Sequence, residues 1–225
     1  MKITYYGHSS LGIQIKNAHI LIDPFITGNP KASHIDIELL DADYILLTHA
    51  HQDHTLDAEA IARSTGAVIV ANYEITLYYN ALGLETLALN PGGKYQFDFG
   101  FVKGVNAIHT SSFPDGNYGG IAGGFVITAE SKSVYIAGDT ALTLDMKLIP
   151  MFATIDLAML PIGDVFTMGI EEAIIASDFV ACSKILGCHY DTFPPIEIDK
   201  KEAIATFKKK GKELLLLEIG KSIDL

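Results

Sequence analysis

Apolar and polar residues alternate along residues 2–6 and 11–16, with β-branched residues among them and Gly7 to Ser10 between. A period of two predicts strands, here the arms of a hairpin or meander. His19 to Ile22 reads as a third short strand, stopped by Asp23-Pro24. Residues 25–43 lose the periodicity and carry Gly28, Asn29 and Pro30, so they predict a loop with one helical turn near 36–40. The apolar run Tyr44-Ile45-Leu46-Leu47 then predicts a short buried strand. A helix over Leu56 to Ser64, with Asp57 and Glu59 in its first turn, ends at Gly66. Strand Val68 to Ala71 follows. Asn72 caps a helix over 73–82 that Gly83 closes, and Thr86 to Leu89 is another strand.

After a turn at Asn90-Pro91-Gly92-Gly93 the scheme repeats. Strands are predicted over 94–99 and 101–108, followed by a Gly-, Ser- and Asn-rich loop from Thr110 to Gly124. Residues 125–129 and 133–137 form a hairpin. Then come a helix over 141–149, strand 155–160, helix 169–181, strand 184–188, helix 199–210 and strand 214–217. The lysines of the last helix, Lys200, Lys201, Lys208, Lys209 and Lys210, read as a solvated face. Strands then helices, twice, with no linker or shift in composition, predict one α/β domain over 1–225. Its two sheets pack face to face with helices outside.

Composition narrows the functional classes. The 225 residues are 49% hydrophobic and 19% charged, enough for a sizeable core. A formal charge of −11 argues against nucleic-acid backbones or anionic membranes as partners. Two cysteines, Cys182 and Cys188, make no disulfide framework. The first residues lack the apolar core of a signal peptide, and no run approaches the 18 apolar residues of a membrane span. A cytoplasmic protein is the expectation.

The densest chemistry lies in Thr48-His49-Ala50-His51-Gln52-Asp53-His54, directly after the fourth strand; it holds three of the eight histidines. Imidazole and carboxylate suit zinc, manganese and iron. In an extended chain residues 49, 51 and 53 face one side and 54 the other, so a common site requires the chain to curl between Asp53 and His54. His109, Asp139 and His189 each stand at the end of a strand-like run, where α/β folds place binding groups. Five histidines and two aspartates suffice for two metal ions. Asp139 alone could merely cap a following helix. His8 reads as a group behind the ligands, a donor to an anionic substrate, or a satisfied loop residue. Asp23 is either a turn residue or the carboxylate orienting a ligand imidazole. His19 and His34 read as surface residues, and Cys182 as helix packing. Cys188 adjoins His189 and faces the other way along a strand, which argues against a thiolate ligand. Tyr118 reads as an ordinary loop aromatic.

The His-x-His-x-Asp-His stretch, with the later His, Asp and His, resembles the metallo-β-lactamase superfamily of αββα hydrolases along the whole chain. Five further segments resemble a branch of metal-dependent hydrolases similar to the L-ascorbate-6-phosphate lactonases: Tyr6 to Ser10, Leu21 to Phe25, Ala137 to Thr140, Leu160 to Gly163 with Thr167 to Gly169, and His189 to Pro195. The resemblance implies a four-layer αββα sandwich. It implies His49, His51 and His109 on a first ion, Asp53, His54 and His189 on a second, and Asp139 bridging both. It also implies two divalent ions (Zn²⁺ or Mn²⁺, with Fe²⁺ as a third choice) that activate water to cleave an ester, lactone or phosphoester in a small, anionic molecule. Asp53 is then the candidate to orient that water and shuttle its proton, with His8 as the other candidate catalytic group. Asp164 stands where that branch usually has a second glycine, which bears on pocket shape. Two alternatives share the fold. One is a phosphodiesterase or nuclease, which usually carries RNA-binding arms or a second domain that this chain lacks. The other is a di-iron redox protein, whose first motif resembles His-x-Glu-x-Asp where this chain has His51. Homo-oligomerisation is left open. Gly-x-Ser-x-Gly does not occur, which argues against a serine hydrolase.

Overall fold

Fourteen strands and five α-helices make up the computed structural model, which describes residues 1–225. Strands β1 (Lys2–Gly7), β2 (Ser10–Ile15), β3 (Ala18–Ile22), β4 (Tyr44–Leu46), β5 (Val68–Ala71) and β6 (Thr86–Ala88) form the first sheet. β14 (Ser222–Asp224) adds its far edge, giving the order β14-β1-β2-β3-β4-β5-β6. The second sheet has the order β13-β12-β11-β10-β9-β8-β7. Its members are β7 (Lys94–Phe97), β8 (Gly100–Asn106), β9 (Gly123–Ala129), β10 (Lys132–Ile136), β11 (Leu157–Pro161), β12 (Lys184–Cys188) and β13 (Glu213–Leu215).

The period-two pattern sorts side chains into three cores. Ile20, Ile22, Leu46 and Val70 of the first sheet meet Val134, Ile136, Leu157, Met159 and Leu186 of the second in one cluster between the sheets. Their neighbours in sequence point outward. Leu21, Ile45 and Ile69 pack with Ala58, Ile61 and Ala62 of α2 (Ala58–Thr65) and Ile75 and Tyr79 of α3 (Tyr73–Ala81). Tyr135, Ala158, Leu160 and Ile185 pack with Ala173 and Ala176 of α4 (Ile170–Phe179) and Phe207 of α5 (Lys200–Lys209). Helix, sheet, sheet and helix therefore stack as the expected αββα sandwich. No helix is long and apolar enough to cross a membrane.

Topology brings the chemistry to one rim. β1 and β3 each run antiparallel to β2, and β4 runs parallel to β3. β8 and β10 each run antiparallel to β9, and β11 and β12 run parallel to β10. Thus β1, β3 and β4 share a direction, as do β8, β10 and β12. His8, Asp23 and the 48–54 stretch follow the first three; His109, Asp139 and His189 follow the others.

Three details depart from the sequence expectations. The helix expected over Leu56 to Ser64 is two: a single turn, α1 (Gln52–Thr55), and then α2. The break comes where the Asp57 N–H donates to the Pro24 carbonyl at 3.1 Å. The expected helix at 141–149 is a 3₁₀ segment, Leu144–Met151, containing Pro150. Proline has no N–H and its ring crowds the preceding turn, so the α pattern is lost there. β14 is too short to show a period and is held by its pairing with β1. Cys182, just past the end of α4, is packed against the helices as expected: it is buried in one cluster with Ala173, Ala176 and Phe207, its thiol 3.2 Å from the Lys184 carbonyl.

Candidate metal centre

The chain curls earlier than between Asp53 and His54. His51 is extended (φ −61°, ψ 146°) and α1 begins at Gln52, so Asp53 and His54 share a helical turn. The reversal at His51 sets His49 and His51 on one side and Asp53 and His54 on the other. The first turn is closed by the His54 N–H and the Thr55 hydroxyl, both donating to the His51 carbonyl at 3.0 Å.

Two clusters result. His49, His51 and His109 bring three ring nitrogens within 4.8 Å of one another. The His49 Nε2 and His51 Nδ1 atoms are 3.1 Å apart. Asp53, His54 and His189 form the second cluster, and His8 joins them within the same 4.8 Å limit. Asp139 lies between. Its Oδ2 is 4.0 Å from His49 Nε2 and 3.6 Å from His109 Nε2 on one side. On the other it is 3.3 Å from His54 Nε2 and 3.0 Å from His189 Nε2. All seven residues expected as ligands are thus brought together, and His8 with them. Gly138 delivers Asp139: it has φ +64°, and a Cβ there would lie 2.7 Å from the Gly123 carbonyl oxygen and 2.9 Å from Thr48 Cβ.

Asp23 proves to be an orienting carboxylate. It is buried with φ 44°, accepts from the Thr48 N–H at 2.8 Å and the Thr48 hydroxyl at 2.7 Å, and receives His54 Nδ1 at 2.9 Å. Because that hydroxyl donates to Asp23, it accepts from His49 Nδ1, 3.0 Å away. Both imidazoles therefore turn Nε2 towards the centre. Asp57 carried no sequence signal beyond a helix start. It is buried, and its carboxylate accepts from the Ile26 N–H at 2.6 Å, the Thr27 N–H at 2.9 Å and the Thr27 hydroxyl. That clamp holds the loop carrying Phe25, whose ring meets His8 edge-on at 5.5 Å. Of the remaining expectations, Cys188 joins the core between the sheets, and Tyr118 is exposed on its loop.

Electrostatics divide the imidazoles. Burial lowers the pKa of His49, His51 and His109, so these rings are neutral and their nitrogens free to ligate. Burial opposes the charging of His54, but Asp139 and Asp23 outweigh it and raise its pKa. In the same way Asp139 and Asp53 lift His189 to about 9 against its burial. Burial would raise the Asp139 carboxyl, yet His54 and His189 hold it well below the carboxylate range. Burial likewise opposes ionisation of Asp53, and His189 at 3.8 Å together with the hydrogen bond from His8 keep it ionised. His8 itself is lowered to about 4, chiefly by burial.

Buried polar atoms ordinarily find partners. Here His54 Nε2, Asp139 Oδ1 and His189 Nδ1 are buried with none. An unpartnered His54 Nε2, 3.3 Å from the Asp139 carboxylate and beside neutral imidazoles, is what a divalent cation would satisfy, so the residues fit metal.

Fold and centre together define a metallohydrolase of the β-lactamase superfamily, to which the chain belongs: residues 2–189 match the Beta-lactamase superfamily domain. Within it the chain is 64% identical to a UPF0173 metal-dependent hydrolase of Christiangramia forsetii, over 100% of both chains. It is 46% identical, again over 100% of both, to a UPF0173 metal-dependent hydrolase of Methylacidiphilum infernorum. Among solved structures it is similar to Igni18, a metallo hydrolase from the archaeon Ignicoccus hospitalis. The two share 32% identity and a TM-score of 0.90, covering 99% of this chain and 97% of that one. The protein is accordingly a metal-dependent hydrolase.

Proposed function

We propose that this hydrolase works with two divalent ions and cleaves an ester, lactone or phosphoester bond in a small anionic molecule. The observation that carries the reading is the Asp139 Oδ2 atom, within 4.0 Å of two imidazoles from each cluster. One carboxylate oxygen so placed suits a bridge between two cations. His49, His51 and His109 would hold the first ion, Asp53, His54 and His189 the second. Nitrogen and oxygen donors without thiolate suit Zn²⁺, Mn²⁺ or Fe²⁺.

Divalent ions held there would lower the pKa of a water towards neutrality and polarise a carbonyl or phosphoryl oxygen. The chain's own groups do the rest. Asp53 is partly exposed, its side chain 27% accessible, so its carboxylate can accept the proton of an attacking water and return it to the leaving group. His8, 3.1 Å from Asp53 Oδ2, steadies that carboxylate. Four positive charges of two ions outnumber the carboxylates of Asp23, Asp53 and Asp139, so the loaded centre favours an anionic substrate.

The test is a substrate panel of lactones, phosphodiesters, phosphomonoesters and thioesters, run on metal-loaded protein with His51→Ala as control. Turnover of an anionic ester, lactone or phosphoester that His51→Ala abolishes supports the reading. Activity that survives His51→Ala, or turnover of thioesters only, refutes the proposed bond class.

A further inference from the structure

Behind the second cluster stands a three-residue chain, Asp53, His8 and Thr192. His8 is 1% exposed, and its ring is hydrogen-bonded at both ends. Nε2 lies 3.1 Å from Asp53 Oδ2, and Nδ1 lies 2.9 Å from Thr192 Oγ1. Asp53 Oδ2 is the same oxygen that faces His54 Nε2 at 3.9 Å and His189 Nε2 at 3.8 Å.

The donors can be assigned from chemistry. A carboxylate only accepts, so His8 Nε2 must carry the hydrogen that Asp53 receives. In the neutral ring Nδ1 is then bare and must accept, so the Thr192 hydroxyl donates to it. That hydroxyl's other neighbour, the Tyr190 carbonyl, is 3.4 Å away, too long to compete.

Both ends of the chain are built rather than incidental. His8 takes the left-handed backbone conformation (φ 52°), and its carbonyl accepts from the His189 N–H at 2.9 Å and the Tyr5 hydroxyl at 3.1 Å. Its ring sits 4.2 Å from that of His189 and 5.5 Å from that of Phe193. Thr192 follows Asp191, also left-handed (φ 60°). Asp191 is pinned by the Ile198 N–H at 3.1 Å, by Lys200 Nζ at 2.9 Å and through its own N–H to the Ile196 carbonyl at 2.8 Å.

We infer that Thr192 is a positioning residue for hydrolysis: its hydroxyl donates to His8 Nδ1 and so holds the ring with Nε2–H on Asp53, which restrains that carboxylate for the second ion and for the attacking water. The inference rests on the reading of Asp53 as a ligand. Without the hydroxyl, the buried Nδ1 has no partner and one of the two bonds that hold the ring is gone. The ring would be freer to turn, and Asp53 would lose part of its restraint. Partners of this kind alter metal affinity by about 10- to 100-fold when removed.

The experiment compares the full chain with Thr192→Val, which keeps the shape and loses the hydroxyl, and Thr192→Ser, which restores it. Two readouts are taken. The first is the His8 Nε2–H proton, its ¹H shift and exchange rate, in the metal-free and zinc-loaded proteins. The second is the affinity for each equivalent of Zn²⁺ by titration calorimetry. Expected are a slowly exchanging Nε2–H in the parent and in Thr192→Ser, and faster exchange in Thr192→Val. One of the two sites of Thr192→Val should also weaken about 10- to 100-fold, with the other unchanged and kcat reduced more than KM is raised. An Nε2–H that exchanges no faster in Thr192→Val, or parental affinity at both sites, overturns the inference. A parent that takes up one ion only overturns the two-ion reading instead, and the Nε2–H comparison still decides the role of Thr192.

Discussion

Asp139 offers one oxygen to four imidazoles that come from the ends of three different strands, so its replacement reaches both clusters at once. Asp139→Asn should leave fewer than two ions per chain by elemental analysis. His109→Ala should cost occupancy in the first cluster alone. Protonation gives a second handle. In the metal-free protein His189 titrates at about 9 and His54 is raised as well, so both are charged at pH 7. A cation can bind these imidazoles only by displacing their protons, so affinity should rise with pH from 6 to 9 and binding should release protons. Calorimetry in buffers of different ionisation enthalpy measures that release, and uptake or no exchange would contradict it. At this scale the sequence was informative where a residue type is rare and chemically pointed, as in His49, His51 and His54. It was silent where the same type is common: Asp57 and Thr192 look like any helix-start aspartate or loop threonine, and only the contacts brought by folding distinguish them.

The rim depends on how its connecting elements are fastened. Gly138, between β10 and Asp139, has φ +64° and no room for a Cβ beside the Gly123 carbonyl and Thr48. Gly138→Ala should therefore destabilise by about 1–3 kcal/mol and displace Asp139. Thermal unfolding should show it as a fall of about 2–4 °C in Tm for each kcal/mol. Asn72 fastens a second element. Its carbonyl caps α3 through the Ile75 N–H at 2.9 Å, and its amide holds the Gly119 and Ile121 carbonyls of the loop after His109, at 2.8 and 3.0 Å. Asn72→Ala should cost about 1–2 kcal/mol, read by the same measurement. The cap of α3 was legible from Asn72 and Gly83. The second job of Asn72 was not, because its loop partners lie 47 and 49 positions away. Period-two strands were legible for the same reason that they form, since each alternate residue enters a different core. The failures fell where local signal is weakest: the single turn of α1, the 3₁₀ segment through Pro150, and the three-residue edge strand β14.

Across the molecule, the ends of six strands, three from each sheet, deliver six separated parts of the chain to one rim. That convergence places two buried aspartates, Asp23 and Asp139, and four buried histidines within a few ångströms, a costly arrangement without cations to compensate it. Metal should therefore act as a stabilising ligand. Loaded protein should unfold at a higher temperature than chelator-treated protein, by an amount that grows with free-metal concentration. The whole-chain order of strands and helices made the four-layer stack legible, because only two facing sheets with outer helices can bury those alternating faces. The number of ions is a matter of distances, which no spacing in the sequence prescribes. Metal content per chain, measured by inductively coupled plasma mass spectrometry after reconstitution and removal of free ion, tests the central claim most directly. Two divalent ions per chain in the parent and fewer in Asp139→Asn would bear it out. One ion or none in the parent, or an unchanged two in Asp139→Asn, would contradict it.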